Sequence, residues 1–137
     1  MGQTLSGLEF IHKIPVIHGD LATRNLLVDD KNCLKISDFG KSEECYQTYS
    51  SYQGGTAKGE FDLQAKNPWR WLPLELYDGG KLTSKCDIWA FGVTSWEMFT
   101  AGEMPYRGIV DFAAYVRNGY RLQKPQDCDM AIYLISK

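Results

Sequence analysis

The sequence has no stretch approaching about 18 consecutive apolar residues, so it offers no membrane-spanning helix. Its first residues lack the basic start and apolar run of a secretory signal. It has no basic excess: 15 Lys and Arg stand against 17 Asp and Glu, a formal net charge of -2. That balance disfavours nucleic acid or an anionic membrane surface as a partner. Cysteine is sparse, and Cys33, Cys45, Cys86 and Cys128 form no Cys-x-x-Cys pair. This argues against a zinc site and, without a secretory signal, against a disulfide framework, so free thiols in a reducing compartment are expected. Neither internal repeats nor low-complexity tracts occur. What is present is a 137-residue chain, 44% hydrophobic, long enough for one domain with a real core. The start "MGQTLS" fits the myristoylation pattern at Gly2. Gly2 nevertheless leads straight into the periodic Leu5, Leu8 and Ile11 with no flexible spacer, which favours a helix start over an acylated arm.

Apolar periodicity predicts a helix over residues 3–12, stopped by Ile14-Pro15 because proline disfavours helical geometry in the residue before it. Two short apolar runs, "LLV" and "CLKI", flank "DDKN" and predict a small hairpin. Residues 38–68 have little apolar periodicity and contain Tyr46, Tyr49 and Tyr52; a loop this long in a globule is usually functional or mobile. The stretch from Thr83 to Phe99 is apolar all round a helical wheel, so a buried helix is expected, followed by a shorter one from about Ile109 to Asn118 with Gly119 behind it. Trp89, Phe91, Trp96 and Phe99 are expected in the core. The fold class is therefore mainly α with a small β-hairpin.

The stretch "HGDLATRN", residues 18–25, concentrates polar groups in a loop between the first helix and the hairpin. An acid at Asp20 with Asn25 five residues on suits a site that takes a hydroxyl proton beside a metal ion. Folding the hairpin back brings Asn25 and Asp38 to one end, where both offer oxygen to Mg²⁺. Turn-forming roles for Asp20 and Asn25 are the rival reading, but they leave the distant "DFG" at residues 38–40 unexplained.

Together "HGDLATRN", "DFG", "WLPLE" and "KCDIWAFG" resemble the second half of a protein kinase catalytic domain, with Asp38 thirteen positions after Asn25 and Asp87 twelve after Glu75. "LATRN" and "NPWRWLPLE" resemble the tyrosine-kinase branch. The resemblance implies Asp20 as the base for the substrate hydroxyl and Arg24 steadying phosphate and base. It further implies Asn25 and Asp38 on Mg²⁺, Leu27 under the adenine of ATP, and Pro68 with Trp71 as a platform for the acceptor tyrosine. His18 and Phe39 would stack between the lobes. Asp87 would hold the catalytic-loop backbone, although it also stands three residues after Ser84 as the acid of a capping box would. Glu75 would be a structural acid, and Tyr46, Tyr49 and Tyr52 would be candidate phosphorylation sites.

The chain departs from the family at Gly19, where an arginine that pairs with the phosphorylated activation loop is usual, and at Pro73-Leu74-Glu75, in place of Ala-Pro-Glu. Glycine-rich and Val-Ala-Ile-Lys segments are not found in residues 1–137, and "GGTAKGE" has Glu60 where a phosphate loop needs lysine. The expectation is thus a partial kinase domain over 1–137, a C-terminal lobe truncated at both ends. Two functions follow: phosphoryl transfer from ATP to protein tyrosine within a complete domain, or a binding and regulatory module without turnover. A cytoplasmic setting, or the cytoplasmic side of a receptor, is implied, and self-association through exposed lobe-facing surface is expected.

Overall fold

The computed structural model describes residues 1–14, 16–39, 69–130 and 133. Helix α1, Gly2–Lys13, buries Thr4, Leu8 and Ile11 on one face and carries His12 and Lys13 in its last turn, where cations suit the helix dipole. The chain then runs through the loop that holds Asp20 into a short 3-10 turn, Thr23–Asn25. Strands β1, Leu26–Val28, and β2, Leu34–Ile36, pair antiparallel with Leu26 opposite Ile36 and Val28 opposite Leu34. Asp29 closes this hairpin: its Oδ1 accepts from the backbone N–H of Lys31 (3.0 Å) and Cys33 (2.8 Å), and those bonds with Lys35 hold its carboxyl below the usual range.

A second 3-10 turn, Trp69–Trp71, leads to the one-turn helix α2, Leu74–Tyr77. Helix α3, Ser84–Phe99, is the centre of the fold. Its N-terminus is capped by Thr83, with Cys86 in the reciprocal place. That arrangement leaves Asp87 out of the cap. Helix α4, Phe112–Arg117, is shorter than the periodicity suggests. Asp111 starts it late by accepting from Ala114 N–H (2.8 Å), and Gly119, at φ 85°, follows its end.

The core joins Leu8 and Ile11 of α1, Leu21 and Ala22 of the loop, Phe91 and Val93 of α3, and Phe112 and Val116 of α4. Helix α3 is not buried on every side. Ile88 is exposed, Trp89, Trp96 and Phe99 are half-buried, and Trp89 and Trp96 line a groove of about 230 Å³ with Tyr106 and Leu122. Of the four expected core aromatics only Phe91 is fully enclosed, while Trp89 and Trp96 face the open groove.

Tyr106 packs edge-on against Phe112 at 4.8 Å between centroids, and burial pushes its phenol up to about 12. The folded state therefore holds this proton more tightly than the unfolded chain, whose tyrosines titrate near 10. Its contribution, about 3 kcal/mol, is fully present below pH 10 and lost as pH rises towards 12. Urea midpoints should fall over that window, and Tyr106→Phe should flatten the fall; an unchanged slope would show that Tyr106 ionises freely in the folded protein.

Candidate active site

The loop from His18 to Thr23 lies along one face of α3 and is tied to it at three places. At the first, Asp87 accepts through Oδ2 from His18 N–H (2.8 Å) and through Oδ1 from Gly19 N–H (2.9 Å). Midway, Thr94 Oγ1 donates to the Leu21 carbonyl at 3.3 Å, while also bonding the Ala90 carbonyl at 2.7 Å. At the far end, Glu97 accepts from Thr23 N–H (3.2 Å) and from Thr23 Oγ1 (2.8 Å). Asp87 and Glu97 are ten positions apart, about 15 Å of helix, and Asp20 is held between them. Gly19 has φ 74°, a left-handed conformation that glycine takes without strain and that costs other residues about 1–2 kcal/mol.

Asp20 is buried and its Oδ1 is paired with the guanidinium of Arg24. The Asp20 carbonyl accepts from Asn25 Nδ2 at 2.6 Å. That bond commits the Asn25 nitrogen and leaves Oδ1 as the atom suited to a cation. The Asn25 carbonyl accepts from both the N–H and the Oγ of Ser37, each at 2.9 Å, and His18 Nε2 meets the Ser37 carbonyl at 2.9 Å. Ser37 thus fastens the end of the hairpin to the loop, directly before Asp38. Asp38 is exposed and has φ 64°, a conformation aspartate tolerates better than most residues. Phe39 meets His18 edge-on, centroids 5.0 Å apart. Leu27, on β1, is 58% exposed, an open apolar surface beside these groups.

Trp71 does not form the open shelf expected of a substrate platform. Only 7% of it is exposed, its Nε1–H donates to Glu97 Oε2 at 2.8 Å, and the Arg24 guanidinium lies 4.7 Å from its ring centroid. A buried indole needs an acceptor for its N–H, and Glu97 supplies one, so Trp71 is drawn inward as a strut beneath Arg24. Pro68, Tyr46, Tyr49 and Tyr52 lie outside the described residues. Glu75 is exposed near the start of α2, and its carbonyl accepts from Gly80 N–H at 2.7 Å.

A family model for protein tyrosine and serine/threonine kinases matches residues 1–137. The chain belongs to this kinase family. It is 38% identical over 138 residues to the tyrosine kinase receptor Cad96Ca of Drosophila melanogaster, covering 98% of this chain and 17% of that protein. It is 35% identical over 137 residues both to the tyrosine-protein kinase Btk of Drosophila melanogaster and to the tyrosine-protein kinase receptor torso of Bombyx mori, covering 98% of this chain and 16% of each. The chain thus spans about one sixth of the length of these curated relatives.

Three polar residues of this kinase chain carry the site's geometry without having stood out in the sequence. They are Ser37, Glu97, and His12, whose Nε2 meets Asp87 Oδ2 at 2.9 Å. The one sequence signal was Glu97 itself, an acid in the apolar run "VTSWEMF", since an acid inside a buried helix needs donors. Nothing local marks Ser37 or His12. Asn25 Oδ1 and the Asp38 carboxylate are hard oxygen donors of the kind Mg²⁺ takes. Among the described residues no group of three His, Cys, Asp or Glu is placed to hold a metal ion.

Asp87 receives three bonds from outside its own helix, so its loss leaves two backbone N–H groups without their acceptor. Asp87→Ala should destabilise the chain by about 2–5 kcal/mol in urea unfolding and speed amide exchange at His18 and Gly19. A loss below about 1 kcal/mol would show that water replaces the carboxylate.

Proposed function

We propose that this chain is the C-terminal-lobe part of a protein-tyrosine kinase domain, which transfers the γ-phosphoryl group of ATP to a tyrosine hydroxyl. The observation that carries the reading is that base and cation donors form one hydrogen-bonded unit: Asn25 bonds the Asp20 carbonyl through its side chain and Ser37, next to Asp38, through its own carbonyl. In this reading Asp20 orients the phenol and takes its proton as the oxygen attacks the γ-phosphorus and the bond to the ADP oxygen breaks. Arg24 holds the Asp20 carboxylate in place. Asn25 and Asp38 bind Mg²⁺, which supplies charge neutralisation for the phosphates, and Leu27 offers apolar contact to the adenine.

Tyrosine as the acceptor is supported by relatives that are tyrosine kinases and by Ala22 and Arg24 in "LATRN". A cytoplasmic setting is supported by the free thiols of Cys33, Cys86 and Cys128. Because the chain spans a minor part of its relatives, the activity is proposed for the domain to which it belongs.

The test joins the chain to the glycine-rich, lysine-bearing half of a tyrosine-kinase relative. Asp20→Asn should lower kcat by about 10²–10⁴-fold with the ATP KM little changed, since the acid serves the hydroxyl. Asp38→Asn should chiefly weaken Mg²⁺-dependent nucleotide binding, read by titration with a fluorescent ATP analogue. Two variants that both lose only affinity would overturn this division of roles, and equal labelling of serine and tyrosine peptides would remove the tyrosine assignment.

A further inference from the structure

Glu97 is 6% exposed and sits in the last turns of α3. Its carboxylate has no cationic partner among the described residues; it accepts instead from Thr23 N–H, Thr23 Oγ1 and Trp71 Nε1. These donors belong to two separate parts of the chain, the loop that carries Asp20 and the 3-10 turn that precedes α2. Both parts lead back to one cation. Thr23 is the residue before Arg24, and the Trp71 ring lies under the Arg24 guanidinium. Arg24 in turn pairs with Asp20 Oδ1.

We infer that Glu97 is a positioning residue for the Asp20–Arg24 pair, fixing the backbone from which Arg24 springs and the aromatic floor on which its guanidinium rests. The inference deepens the kinase reading, because it names what sets the direction of the proposed base. An arginine side chain has many rotamers, and one carboxylate contact does not select among them. The ring beneath Arg24 removes the alternatives, provided the ring itself stays put. Its N–H bond to Glu97 is what holds it. The same bond makes the turn at Trp69–Trp71 report on the loop, so a displacement of that turn would loosen Asp20 without touching it.

The bonding pattern also predicts which substitution preserves the function. Glutamine at 97 can present its oxygen to Thr23 N–H and Trp71 Nε1, while its NH₂ donates to Thr23 Oγ1, whose hydroxyl turns round to accept. Leucine has similar bulk and offers no acceptor. A role in core filling alone would be served by leucine.

The experiment follows the ¹⁵N-labelled 137-residue chain by NMR, reading the Arg24 guanidinium N–H signals, the Trp71 indole N–H and the exchange of the Thr23 amide. In Glu97→Leu the Arg24 signals should average, as they should in an Asp20→Asn control, and Thr23 exchange should speed by about tenfold or more. Glu97→Gln should restore all three. If the leucine variant fails to fold, Trp71→Phe decides, since it keeps a ring under Arg24 but removes the N–H; averaged Arg24 signals support the inference. Arg24 signals unchanged in a folded Glu97→Leu or in Trp71→Phe would overturn it, as would a failure of Glu97→Gln to restore them. These readouts need no turnover, so a completed domain that labels no peptide would sink the kinase reading while leaving this one measured.

Discussion

The candidate site depends first on one buried carboxylate. Asp87 lies at the beginning of α3 and holds the backbone N–H groups of His18 and Gly19, with the ring of His12 on the same oxygen as His18. Backbone polar groups in an irregular buried loop have no ladder to satisfy them, so a side chain must do it. Once this end of the loop is anchored, Asp20 emerges at a set height along the helix, and Thr94 and Glu97 meet the following residues in order. A regular helix thereby acts as the ruler for an irregular loop, which is how a loop side chain acquires a fixed direction without being part of a helix or strand.

Two of the left-handed backbone positions, Gly19 and Asp38, flank the same point. Gly19 occupies a left-handed conformation directly at the Asp87 anchor, where glycine removes the strain that a side chain would bring. Asp38 accepts that conformation with its side chain in place. Strained backbone persists where the surroundings determine it, and here they do. Ser37 is bonded on its N–H, its hydroxyl and its carbonyl, while Phe39 packs on His18. The strain at Asp38 is consistent with a residue whose position matters more than its local comfort.

Trp71 illustrates how an aromatic residue changes meaning with its acceptor. Along the chain it stands in a motif associated with the substrate, where an indole can serve as a shelf. In the fold, Glu97 reaches it from α3, seats its N–H and turns its face to Arg24. Its contribution passes to the neighbouring cation.

Much of this chain is legible from its residues alone. Periodicity and proline place α1, alternating apolar runs around "DDKN" place the hairpin, and the spacing of His18, Asp20, Asn25, Asp38 and Asp87 marks the residues that the fold brings into one region. These are local or motif-scale signals, carried by side-chain period and by turn chemistry that neighbours in sequence dictate. The open groove on α3, the inward turn of Trp71 and the roles of Ser37, His12 and Glu97 are decided only in three dimensions. Each rests on a contact between residues far apart in the chain, such as Thr23 with Glu97 or His12 with Asp87. A one-dimensional pattern records that a residue is polar or apolar. Which donor meets which acceptor is set when helices and loops pack, because hydrogen bonds require ångström-scale distances that sequence spacing does not encode.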